Sequence, residues 1–277
     1  IRTEWTNGPD TENGAYGIYP VQSTNVLLEG NVAIAASDAG IYVGQSKQVV
    51  VRDNRAEYNV AGIEVENTIG ADVYNNIANN NTGGILVFNM PSIPQRGYAT
   101  RVFDNEIHSN NTENFAIPGT AVSGVPAGSG VVINSNDQVE VFDNRFSNNN
   151  TANIVISSYF SANFAGQREL AAEFDPYPEE ILIYDNTFEG GGTQPGLDYL
   201  TELKNALYGE QGAFPDIIWD GIVNPENKDQ RAIICVDNGE AQLLSIDAGN
   251  QFANPGVDMQ KHDCSITKLQ PIVLASY

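Results

Sequence analysis

Apolar and polar positions alternate along most of this chain in short β-branched runs, and the runs recur at a fixed interval. GIYPVQS starts at Gly17, GIYVGQS at Gly40, GIEVENT at Gly62, GILVFNM at Gly84, GVVINSN at Gly130 and NIVISSY at Asn153. Successive starts differ by 23, 22, 22, 46 and 23 residues. Short β-branched runs, separated by Asn, Asp and Gly turns and repeated every 22 or so, predict a solenoid whose coils each hold about three strands. The fold class is therefore all-β, a parallel β-helix, and right-handed because parallel crossovers take that hand.

A second phase runs through the same units. Asn31, Asn54, Asn76, Asn105, Asn144 and Asn186 each follow an apolar run. Stacked coils bring them to one turn, where amides repeated at about 4.8 Å can hydrogen-bond along the stack as an asparagine ladder.

Side-chain alternation then assigns faces. In the glycine-initiated strand the inward pairs are Ile18/Pro20, Ile41/Val43, Ile63/Val65, Ile85/Val87, Val131/Ile133 and Ile154/Ile156. The outward pairs are then Tyr19/Val21, Tyr42/Gly44, Glu64/Glu66, Leu86/Phe88, Val132/Asn134 and Val155/Ser157. Aromatic faces stack on sugar rings and carboxylates accept hydroxyl hydrogen bonds, which makes Tyr19, Tyr42, Glu64, Glu66 and Phe88 the candidate carbohydrate site. The competing reading packs Tyr19 and Tyr42 beneath the Thr6–Tyr16 loop. The strand before the ladder has outward pairs such as Asp72/Tyr74, Arg101/Phe103 and Glu140/Phe142, which read as an ordinary solvated face.

Inserts at 6–16, 90–98, 113–129 and 161–180 interrupt the repeat and are expected to lie outside the solenoid, shaping a binding face. The regular coils are expected over 1–192. Residues 193–277 form a last irregular coil and cap, with a short helix signalled by Leu197, Leu200, Leu203 and Leu207. DIIWDGIV, RAIICVDN and AQLLSID read as strands of that segment. Cys235 and Cys264 suit a disulfide, worth about 3–4 kcal/mol on the chain-entropy model, against two buried thiols as the alternative. A bridge would place the protein in an oxidising compartment.

Charge narrows the partners. With 13 Lys+Arg against 35 Asp+Glu, the formal charge is −22, which disfavours nucleic acid, anionic membranes and polyanionic substrates. No apolar run is long enough to span a bilayer, and no signal peptide is visible. Asp104, Asp143 and Asp185 precede ladder asparagines on consecutive coils. Stacked like charges repel, so Ca²⁺ as a cofactor or the nearby Arg145 is a candidate to neutralise them, set against plain turn-forming aspartates in water. The NNT triplets at Asn80, Asn110 and Asn149 are formal glycosylation sequons but sit in phase with the turns. His108 and His262 are too few for a metal triad, and no nucleophile elbow, phosphate loop or CxxC occurs.

Arg2-Thr3-Glu4-Trp5 matches Arg55-Ala56-Glu57-Tyr58 in phase, so Ile1 falls on the ladder position and the chain enters in mid-coil. An open coil exposes unpaired backbone and Trp5. That predicts either preceding coils or a partner covering this end, a second copy of the chain included.

The units GIYPVQS, GIYVGQS, VVVRDNRAEYN and GVVINSN resemble bacterial right-handed parallel β-helix repeat proteins, a group sharing its fold with pectate lyases and mannuronan epimerases. The resemblance covers most of residues 1–277. It implies secretion to the periplasm, cell surface or medium, and a polysaccharide lyase- or epimerase-like activity if the protein is an enzyme. Such enzymes use Lys, Arg, His or Tyr on an outward sheet, often with Ca²⁺. Here only Tyr19 and Tyr42 stand in that register, with no Lys or Arg beside them, and the catalytic residues stay unassigned. Two functions are therefore carried forward: carbohydrate binding or modification on the outward sheet, and a non-enzymatic scaffold that stacks or docks through its first coil.

Overall fold

β-Branched residues at alternate positions favour extended backbone, and a turn every six residues forces that backbone round a corner. The outcome, in the computed structural model that describes residues 1–161, 171–227 and 234–275, is a column of coils with three sheets, parallel except where Gly256–Val257 pairs antiparallel with Leu243–Ser245. One sheet, here the cleft sheet, has nine strands, including Ala39–Gly44, Ala61–Glu66, Gly83–Phe88, Ser129–Asn134 and Ala152–Ser157. The second, the tail sheet, has seven, including Lys47–Arg52, Ile69–Tyr74, Tyr98–Phe103 and Asp137–Phe142. The third, the ladder sheet, also has seven, all short, such as Arg55–Glu57 and Ile77–Asn79.

The expected inward set is the core. Ile41, Val43, Ile63, Val65, Ile85, Val87, Val131, Ile133, Ile154 and Ile156 join one buried column with Val49, Val51, Val73 and Val141 from the tail sheet. Register is strict, with Ile41 opposite Ile63, then Ile85, then Val131, then Ile154. A slip of one residue would turn every one of these side chains to the outside.

The asparagine ladder forms as expected and is longer than expected. Each member donates both its backbone N–H and its Nδ2 to the Oδ1 of the next, at 2.8–3.0 Å from Asn31 to Asn54 and from Asn54 to Asn76. The pattern continues through Asn105, Asn144 and Asn186 and ends on Asn238, the last residue of the expected strand RAIICVDN, which the sequence reading did not count in the ladder. The residue before each ladder asparagine from Asn31 to Asn186 takes a left-handed conformation (Gly30, Asp53, Asn75, Asp104, Asp143, Asp185), which explains Gly, Asp and Asn there. Ile1 occupies the ladder position, and its amino group donates to Asn31 Oδ1 at 3.1 Å. Trp5 is half-buried against Gly14 of the first insert rather than standing free at the rim.

A second ladder stands one corner further on: Asn59, Asn81, Asn110 and Asn149, each bonded to the next at about 3 Å. Two of its members, Asn110 and Asn149, are the acceptor asparagines of sequons. Both are fully buried, so the triplets serve the corner.

The last part of the chain continues the stacking. Ile217–Trp219 and Leu243–Ser245 extend the cleft sheet and Ile234–Asp237 the tail sheet. The helix Asp198–Tyr208 lies on the cleft sheet's outer face, with Leu200 packed on Ile218 and Leu244. Cys235 and Cys264 are bridged. Among the described residues, no helix is long and apolar enough to cross a membrane.

The tail sheet's outer face departs from expectation. Asp72 and Glu140 are buried, not solvated, and Tyr74, Phe103, Phe142 and Tyr184 form a continuous ring stack with centroids 4.8 Å apart. The cause is remote in sequence: residues 266–275 run back over this face.

Candidate functional site

Two columns of side chains project from the cleft sheet. One runs Tyr42, Glu64, Leu86, Val132, Val155, Ile218, and the other Gly44, Glu66, Phe88, Asn134, Ser157. Their fate differs along the column because the inserts land on different coils.

Over the first coils the tyrosines and carboxylates meet, as the sequence led us to expect, but they are covered. Tyr16, Tyr19 and Tyr42 stack, with centroids 4.3 Å apart for the first pair and 4.6 Å for the second. Tyr42 reaches across Gly44, where any Cβ would meet its ring, and donates to Glu66 Oε1 at 2.7 Å. Tyr16 donates to Asp38 at 3.4 Å. Tyr42, Glu64 and Glu66 are buried, Glu64 to 2 % exposure, while Tyr19 remains 51 % exposed. The expectation of an open Tyr/Glu face is thus corrected. Phe115, Ala116 and Val122 of the 113–129 insert, with Met90 and Ile93 of the 90–98 insert, close over Leu86, Phe88 and Val132. Tyr42 lies under Tyr16, so the loop-packing alternative describes it.

Burial makes this cluster acid-sensitive. Desolvation pushes the Asp38 carboxyl up to about 6, partly offset by the Tyr16 hydrogen bond. Glu64 is raised in the same direction by desolvation and then by the charges of Asp38 and Glu66. A carboxyl whose folded pKa lies above its unfolded value contributes stability that is complete below pH ~4 and is lost as pH rises through the folded value. For Asp38 that window closes near pH 6 and amounts to about 3 kcal/mol. His262 works oppositely, since burial lowers its pKa and its contribution is lost as pH falls below the ordinary range. The carboxyls outnumber it, so the melting temperature should fall between pH 4.5 and 7. Glu64→Gln should flatten that fall and raise the melting temperature at pH 7; an unchanged slope in calorimetry would contradict this account.

Further along, the same two columns emerge into an open groove of about 420 Å³. Its floor is Val132, Val155 and Ile218 with Asn134, Ser157 and Asp220 beside them. One wall is Val122, Val125 and Pro126 of the 113–129 insert together with Tyr199 at the start of the helix. The other includes Phe160 and Ser161. Phe160 is 58 % exposed, and Tyr199 stacks on Phe252. Asp220 is anchored by Ser158 N–H and Ser161 Oγ, both donating to Oδ2 at 2.6 Å, and by Ile222 N–H to Oδ1 at 2.9 Å. Desolvation still raises its pKa, and its charge helps raise that of Tyr199. Asn134 Nδ2 donates to Ser157 Oγ at 2.8 Å, linking neighbouring coils. The lining pairs an apolar floor and aromatic rims with an amide, hydroxyls and a fixed carboxylate, and among the described residues it includes no Lys, Arg or His.

Of the sequence candidates only Phe88 lines this groove. Residues of the 113–129 insert and the start of the 161–180 insert line the groove. Asp220 and Tyr199 carried no repeat signal because they come from the irregular C-terminal part. Most of the 161–180 insert's first half, residues 162–170, lies outside the described residues. Asp104, Asp143 and Asp185 do not assemble a cation site: among the described residues, no group of three or more His, Cys, Asp or Glu side chains could hold a metal. They stack on one edge as turn residues, and their mutual repulsion, after desolvation, raises the Asp143 pKa while Lys268 lowers it.

Residues 10–168 match the family described as the right handed beta helix region. The chain belongs to that family. No curated protein matches this right-handed β-helix protein. Among solved structures, it is similar to the A-module of a mannuronan C-5 epimerase from Azotobacter vinelandii, with 17 % identity over 86 % of this chain and 52 % of that one and a TM-score of 0.48. It is similar to a periplasmic alginate epimerase at 15 % identity, covering 64 % and 38 % of the two chains, TM-score 0.46. A family 28 exopolygalacturonase from Yersinia enterocolitica follows at 15 % identity, 70 % and 35 % coverage, TM-score 0.36. The β-helix protein spans about half of the first of these structures and less of the other two.

Proposed function

We propose that this right-handed β-helix protein binds a neutral glycan in the groove on the cleft sheet, outside the cytoplasm. The observation that carries the reading is the lining: exposed Phe160 and Tyr199 to stack on pyranose faces, and Asn134, Ser157 and Asp220 to meet hydroxyls, along coils about 4.8 Å apart. Uronate polymers suit it poorly, since the lining among the described residues has no cation and contains Asp220, and the chain carries a charge of −22. The disulfide supports an oxidising compartment. The buried Tyr42, Glu64 and Glu66 serve as a rigid support under the inserts, and exposed Tyr19 offers a further stacking ring beyond them.

The test is a glycan array followed by calorimetric titration of the best ligand. Tyr199→Ala and Phe160→Ala should each lower affinity by about 3–10-fold at unchanged melting temperature, and neutral glycans should outrank uronates. An array blank for the wild-type protein, or one led by polyuronates, removes the reading.

A further inference from the structure

The tail sheet's outer face holds the chain's own C-terminal segment in a manner unlike any strand of the fold. No β-ladder joins them. Instead, side chains on the coils accept backbone N–H groups of the segment: Leu269 N–H donates to Glu140 Oε1 at 2.5 Å, Ile272 N–H to Asp72 Oδ2 at 3.0 Å, and Ala275 N–H to Asn25 Oδ1 at 2.7 Å. The donors are three residues apart, and the acceptors are two coils apart. Glu140 and Asp72 are separated by the strand Tyr98–Phe103, and Asp72 and Asn25 by the strand Lys47–Arg52. Two coils measure about 9.6 Å, and three residues of extended, polyproline-like chain cover about 9.3 Å. The two periods match, and Pro271 suits that conformation. Ile266, Leu269 and Ile272 are half-buried at the same three-residue spacing, and Leu274 is half-buried beside them, whereas Lys268, Gln270, Pro271, Val273 and Ala275 are exposed.

The core column beneath is closed by the coils themselves, and the ring stack has used its flat faces on its own members, leaving edges outward. At the end of the stack, Lys268 Nζ sits over the last ring, 3.7 Å from the Tyr184 centroid. Asp72 is shared with Arg101, which holds it in place through two hydrogen bonds at 2.8 and 2.6 Å.

We propose that this face is a binding track for an extended peptide with an apolar residue at every third position, and that residues 266–275 are its resident ligand, held in cis. The track recognises backbone N–H groups with fixed carboxylates and reads side chains by coil pitch. The same segment supplied from outside, by a second copy of the chain or as a free peptide, fits the identical contacts. This inference is independent of the glycan groove on the other sheet.

Two measurements test it on the full chain. In wild-type hydrogen exchange, the amides of Leu269 and Ile272 should be protected, yet exchange at least 100-fold faster than those of Val139 and Val141, because the segment leaves without unfolding the column. Equal rates would make it part of the fold and overturn the proposal. In the second, Leu269→Asp/Ile272→Asp should release the segment from a folded protein, which then binds a fluorescein-labelled Ser265–Ala275 peptide saturably, while the wild type, its track filled, binds at least tenfold more weakly. Adding Glu140→Ala to the double variant should weaken peptide binding by about tenfold. No binding by the folded double variant, or binding equal to the wild type's, refutes the track.

Discussion

Asn76→Ala should lower the melting temperature by about 10 °C, while Asn31→Ala should lower it by only a few degrees. The difference follows from what each amide leaves behind. Asn76 Oδ1 accepts both the backbone N–H and the Nδ2 of Asn54, and its own Nδ2 donates to Val51 O at 2.9 Å and to Asn105 Oδ1 at 3.0 Å. Truncation strands a buried N–H and a buried carbonyl in the middle of the column, at about 1–3 kcal/mol for each group without a partner, or about 3–5 kcal/mol in all. Asn31 is at the first turn. Its loss leaves Asn54 Oδ1 still bonded to the Asn31 backbone N–H and frees only the Ile1 amine, which water can solvate. The expected cost is about 1 kcal/mol. Thermal unfolding of the two variants side by side checks this, and equal, small losses would show that the ladder marks the turns without holding them.

Removing the disulfide should cost a similar amount. Cys235 is fully buried on the outward side of the tail sheet's last strand, and Cys264 ties to it the start of the segment that crosses that face, closing a separation of 29 residues. Constraining such a loop in the unfolded chain is worth about 3–4 kcal/mol. The Cys235→Ser/Cys264→Ser variant, or the wild-type protein in reductant, should therefore melt about 8–12 °C lower. If the oxidised and reduced proteins melt together, the bridge contributes nothing to stability.

These expectations draw on different depths of the sequence. Coil period, inward residues and the first ladder were legible because each is a local pattern repeated in phase: alternation sets the face, and the glycine-to-asparagine spacing sets the corner. The second ladder was not, since Asn81, Asn110 and Asn149 sit in NNT triplets whose turn chemistry already accounts for asparagine. Only stacking shows that one amide of each triplet points inward to its neighbour. Asn238 escaped for a related reason, as its coil arrives after the repeat has faded.

Exposure was the property the sequence could not give. Alternation put Tyr42, Glu64 and Glu66 on the outside of the sheet, which is correct. Whether that outside meets water depended on where the 90–98 and 113–129 inserts come to rest, and no periodicity encodes the resting place of an insert. In the same way, Asp72 and Glu140 read as solvated charges because their partners, Ile272 and Leu269, lie 200 and 129 residues away and bind through backbone N–H groups that any residue carries. The sequence by itself determined the solenoid, its core and its corner amides, because neighbouring coils repeat one short pattern and register follows from it. Tertiary structure alone decided which faces stay open, since the covers are single segments, used once, whose contacts leave no repeat to read.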